Sequence, residues 1–258
     1  MAGTYASHNG PVSPAAASPW LPYCGSAPAP ADWLGRWNFD PVLLVALGGL
    51  AILLWRTTDA SSRRLLGSAI ALCLILFVSP FCALSSALFS ARVTHHVLLA
   101  AVLAPLLVFA LPKGRTHWRG STAFWTGLQA VTFWLWHAPG LYAEALSSNI
   151  FYWAMQITLL GTAAGFWAAL RRSSAPTAIA ALLASTVQMG LLGALVTFAG
   201  TPLYRPHFLT TQPWGLSALE DQQLAGLIMW APSAGLYLAA AIFLVHRWLD
   251  REEREFAS

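Results

Sequence analysis

Seven long apolar runs divide this chain, at roughly 41–55, 65–84, 94–111, 122–138, 150–170, 177–199 and 222–248. About 20 mostly apolar residues in a helix cross the ~30 Å hydrocarbon core of a bilayer. Helices are the open-chain solution there, because backbone polar groups in lipid must be satisfied within the segment. The continuous runs do not fit the roughly 10-residue alternating strands of a barrel. The expected fold is therefore all-α: a polytopic membrane helical bundle of seven transmembrane helices. Composition agrees, since 57% hydrophobic and 9% charged residues exclude an ordinary soluble domain.

Loop charge orients the bundle. Arg56, Arg63 and Arg64 follow the first run, Lys113, Arg115 and Arg119 the third, Arg171 and Arg172 the fifth, and Arg247, Arg251 and Arg254 close the chain. All fall on one side of the zigzag, whereas Arg36, Arg92 and Arg205 fall on the other. Positive charge stays cytoplasmic, so the expected N-terminus is outside and the C-terminus cytoplasmic. The net charge of +4 is thus topological and does not point to nucleic acid. Residues 1–36, rich in Ala, Pro, Ser and Gly, read as a disordered outer tail. Residues 37–250 read as the membrane domain and 251–258 as a short charged cytoplasmic tail. Neither a basic leader nor a compact apolar one opens the chain, so no cleaved signal peptide is expected.

The polar residues gather near the outer face. With this topology, Arg92, His95 and His96 stand at the outer end of the third span and His137 at the outer end of the fourth. Asp221, Gln222 and, two turns deeper, Met229 lie on the seventh, while Tyr204, Arg205 and His207 occupy the loop before it. Imidazole nitrogen with thioether sulfur suits copper, Cu(I) in particular. His96, His137 and Met229 are the expected ligands, with His95 and Cys82 in reserve and Asp221 positioned to hold the His137 ring. Cys24, Cys73 and Cys82 form no CxxC pair. Gln129, Gln156 and Gln188 put polar groups inside spans, as a solute pathway or helix–helix contacts would require. No nucleotide loop, HExxH or supported Ser-His-Asp pattern is present, so catalysis has no sequence support.

Several stretches resemble the CtaG family of seven-span cytochrome c oxidase assembly factors, first associated with the caa3-type oxidase. The strongest runs from Trp214 through Glu220-Asp221-Gln222-Gln223 and Gly226 to Met229-Trp230. Trp136-His137-Ala138-Pro139-Gly140-Leu141-Tyr142 is similar to the family's Trp-His-x-Pro-x-Leu-Tyr element, and Ser79-Pro80 and His96-Val97-Leu98-Leu99 also match. The resemblance implies a non-enzymatic role in oxidase maturation at a bacterial inner membrane, with oxidase subunits as partners and copper as the handled metal. Two positions depart from it. Arg92 stands where the family has a histidine four residues before His96, and Met155-Gln156 where it often has Glu-His. Two other functions use the same cluster: a transporter or channel for copper or another small solute, and a haem-binding membrane redox protein.

Overall fold

The computed structural model describes residues 22–112 and 118–256. His8 and the rest of residues 1–21, the loop residues Lys113, Arg115 and His117, and the last two residues lie outside the described residues. Among those described the regular structure is helical throughout, with no strand. Five helical stretches are long and apolar enough to cross a membrane: Ala60–Phe77, Phe89–Ala110, Asn149–Leu170, Ala175–Phe198 and Ala218–Glu255. Two expected spans are shorter. Helix α1 (Pro41–Thr57) has 17 residues and α6 (Thr122–His137) has 16, about 25 Å each at 1.5 Å per residue.

The expected second span, 65–84, is two helices. Helix α2 (Arg63–Phe77) stops before Ser79-Pro80, where the Ser79 hydroxyl accepts from Phe81 N and Pro80 opens α3 (Pro80–Ala87). Proline has no N–H to continue α2 and its preset φ suits a first helical position. Leu88 then adopts one extended conformation and α4 (Phe89–Leu98) begins. The same device recurs after α6, where Pro139 opens α7 (Pro139–Ser147) and an extended Ser148 precedes α8 (Asn149–Leu170).

Helix α4 continues through a π-turn, Leu99–Leu103, into α5 (Ala104–Ala110). In that wider register the donor at position 105 would reach the Ala100 carbonyl, but Pro105 has none. The indole of Trp167 donates to Ala100 O instead, at 2.9 Å. A sequence-level defect thus becomes a tie between α8 and the π-turn just below His95 and His96.

Helices α9 (Ala175–Phe198) and α10 (Ala218–Phe256) pack closely along their length. A methyl at Gly193 would meet the backbone of Gly226 and Trp230, and one at Gly226 the backbone of Gly193 and Thr197. Small residues let spanning helices approach in this way. With 39 residues, α10 is about 58 Å long and outruns the hydrocarbon. Its helix runs on through residues 251–256, where composition suggested only a charged tail. At the basic end, Arg171 donates to Val108 O and Leu111 O, and Arg172 to Trp118 O, joining the ends of α5, α6 and α8.

Residues 22–36, which composition alone assigns to a disordered tail, are pinned across the opposite end. Cys24 is disulfide-bonded to Cys82 of α3. The Tyr23 ring stacks on Tyr152 at 4.9 Å and its hydroxyl donates to Asp40, the N-cap of α1. Trp214 donates to Pro28 O, and Trp33 meets the Trp214 ring edge-on. A covalent bond and aromatic contacts supply what the Pro/Ala/Ser composition lacks.

Candidate functional site

His137 is the last residue of α6, and its ring is held rigidly. Its Nδ1 lies 2.7 Å from Phe133 O, one turn earlier. A carbonyl only accepts, so Nδ1 carries the proton and Nε2 keeps its lone pair. That Nε2 is buried without a partner. Phe133 stacks parallel to the ring, and the Tyr204 hydroxyl donates to the His137 carbonyl at 2.9 Å. His96, wholly buried on α4, faces it with ring centroids 5.4 Å apart and planes nearly perpendicular. Both His96 nitrogens also lack partners. Buried polar atoms are rarely left unpaired, which sets these nitrogens apart from the satisfied groups around them.

His95 turns the other way, as its 100° offset on the helix requires. Its ring meets Phe77 edge-on and lies parallel to Phe81, with Gln156 beside it. Both its nitrogens, and both polar atoms of Gln156, are buried and unpartnered. One turn before His96, the Arg92 guanidinium is fully buried, its Cζ 5.4 Å from the Tyr152 ring centroid. Its Nε donates to Ser85 O at 3.2 Å, while Nη1 and Nη2 have no partner.

Of three other expected residues, two are committed elsewhere and the third is buried in the core. Cys82 is a correction: its sulfur is committed to Cys24, so it offers no thiolate. The Asp221 carboxylate is also spent, but on the start of α4. Its oxygens accept from Phe89 N at 2.6 Å, from Ser90 N at 3.2 Å and from the Ser90 hydroxyl. A carboxylate suits the free N–H groups of a helix N-terminus, and the expected Asp221–His137 bond gives way to that arrangement and to Phe133 O. Met229 is completely buried on α10 and belongs to the apolar core. Among the described residues no group of three or more His, Cys, Asp or Glu side chains is arranged to hold a metal.

Sequence reasoning missed the pairing of His207 with Tyr142. His207 Nδ1 donates to Ala87 O at 3.2 Å, so Nε2 accepts the Tyr142 hydroxyl at 2.6 Å. Burial keeps this ring neutral, its pKa pushed down to about 3. The pair locks the loop before α10 over α3 and α7. Two of the three in-span glutamines prove to be helix ties, Gln129 to Tyr237 and Gln188 to Trp134. Gln156 alone of the three is left with its whole amide unpartnered, beside the histidines. A cavity of about 590 Å³ lies elsewhere, between Trp167, Arg171, Arg247 and Trp248 at the basic end.

A family model described as cytochrome c oxidase caa3 assembly factor (Caa3_CtaG) matches residues 49–251. The chain belongs to that family. The matched span holds every histidine of the cluster and Cys82, whereas Cys24 and Tyr23 precede it. No curated protein and no solved structure matches the chain. Membership in the caa3 assembly-factor family fits its all-helical, membrane-compatible architecture, and an assembly role suggests a non-catalytic protein.

Proposed function

We propose that this caa3 assembly-factor family member is a seven-span membrane protein, N-terminus outside and C-terminus cytoplasmic, that holds copper transiently between His96 and His137 for delivery to cytochrome c oxidase. The observation that carries this reading is the facing imidazole pair. His137 has its proton fixed on Nδ1 by Phe133 O, leaving Nε2 as a buried, unused lone pair opposite two unused nitrogens of His96. A ligating histidine commonly donates its other N–H to a carbonyl in this manner. Two neutral imidazoles suit Cu(I), which accepts low coordination numbers, and a small ligand set suits a metal that must leave again.

The short helices α1 and α6 count as the first and fourth spans in this reading. The basic residues at one end support the orientation. The Cys24–Cys82 disulfide at the other end supports it independently, because disulfides persist in oxidising compartments. Oxidase subunits are the expected recipients, and a bacterial cytoplasmic membrane the expected location. The test is Cu(I) binding to detergent-purified protein against a competing chelator, beside a His96→Ala/His137→Ala double variant. Stoichiometric binding by the parent and its loss in the variant is the expected result. Equal binding by both proteins would remove these two ligands.

A further inference from the structure

Arg92 is a cation sealed inside the bundle with four of its five N–H donors unspent. The guanidinium cannot deprotonate in a protein, and it is 0% exposed. Its one hydrogen bond, Nε to Ser85 O, leaves the terminal fork of Nη1 and Nη2 without an acceptor. The Tyr152 ring gives one face of the guanidinium a cation–π contact, which does not occupy the in-plane N–H groups. No ion pair reaches Arg92 among the described residues. Buried Asp221 is held by Phe89 and Ser90, and the Tyr142 hydroxyl, which gives its proton to His207, offers Arg92 a neutral oxygen and no countercharge.

Further buried polar groups lie near Arg92. Gln156, which lies against His95, brings an amide NH2 and an amide oxygen, and neutral His95 and His96 each bring one N–H and one acceptor nitrogen, all of them buried. Water could occupy such donors but would leave the charge unbalanced, and a charge at this depth is normally paired. A planar fork of parallel N–H groups matches a planar pair of oxygens, two bonds at once. We propose that Arg92, with Gln156 and His95, forms a binding site for a small carboxylate-type oxyanion buried in the bundle core.

The site deepens the copper reading and rests on it in one respect. A metal cation at His96 and His137 would stand near Arg92, two like charges in a poorly screening interior. The oxyanion converts that repulsion into mutual attraction, so anion and Cu(I) each strengthen the other's binding, as linkage requires. It also gives Arg92 a role as the anion's anchor, in the position where the resemblance leads one to expect a histidine.

Formate is the probe, and the first arm uses metal-free protein. Infrared difference spectra with carbon-13 and unlabelled formate should show a saturable bound carboxylate in the parent. The signal should vanish in Arg92→Gln and weaken in Arg92→Lys, which keeps the charge but loses the fork. Gln156→Leu, which leaves Arg92 untouched, should weaken it too and guards against Arg92→Gln failing to fold. In the second arm, formate should raise Cu(I) affinity about tenfold in the parent and leave Arg92→Gln unchanged. Absence of bound formate, or equal binding by the parent, Arg92→Gln and Gln156→Leu, an adventitious ion only, overturns the site. Formate binding without any Cu(I) binding leaves the oxyanion site standing and overturns the copper reading alone.

Discussion

His137 and His207 are fixed by the same chemistry at the scale of single residues. Each gives its Nδ1 proton to a backbone carbonyl, Phe133 O or Ala87 O, yet their Nε2 atoms fare differently. That of His207 is answered by the Tyr142 hydroxyl, whereas that of His137 has no partner. The answered histidine is therefore structural, and its burial has a pH signature. Its pKa in the fold is about 3, below the ordinary value of 6.5. A depressed folded pKa means that stability is fully present above pH 6.5 and declines as pH falls toward 3. A His207→Gln protein should be less stable at neutral pH but lose less on acidification, read as Tm against pH for the two proteins. Asp221→Ala should cost about 1–3 kcal/mol in thermal unfolding, since it strands two buried N–H groups at the start of α4. The convergence of His96 and His137 was legible in the sequence, because depth along spans can be counted from the charge pattern. The task of Asp221 was not. Its partners are backbone groups freed by one extended residue, Leu88, inside a run that reads as unbroken apolar helix.

Among the elements, the two short helices α3 and α7 solve one problem twice. Each begins at a proline just after a longer helix stops, runs for two turns and ends in a single extended residue from which the next long helix starts. The prolines were visible in the sequence, but the extended residues Leu88 and Ser148 carry no turn signature, so the expected second span absorbed α3. Where helices meet, the controlling features are equally small. Gly193→Ala should push α9 away from α10, because its methyl would meet backbone that cannot rotate aside. The expected outcome is a lower Tm, and a larger fall for Gly193→Leu. Trp167→Phe keeps an aromatic ring but leaves Ala100 O unanswered beside Pro105, and should cost about 1–3 kcal/mol in the same assay.

For the whole molecule, the two ends of the bundle differ in kind. One end is tied by arginines to helix-terminal carbonyls, and the other is closed by residues 22–39. Composition located the basic end and named the other a disordered tail, because nothing in a Pro/Ala/Ser-rich stretch announces that one cysteine has a partner 58 residues away. A Cys24→Ser/Cys82→Ser protein should lose about 2–4 kcal/mol of stability, measured as the Tm of the purified protein beside the parent. The bond also sets an order of events in the cell. Helices insert in a membrane without an oxidant, but the covalent fastening of the segment that lays Tyr23 over Tyr152, the ring beneath Arg92, needs two thiols to be joined. A member of an oxidase assembly-factor family is thus itself finished by oxidation. In cells lacking thiol-oxidising machinery, alkylation before lysis should trap Cys24 and Cys82 as free thiols in a fully inserted but unfastened chain.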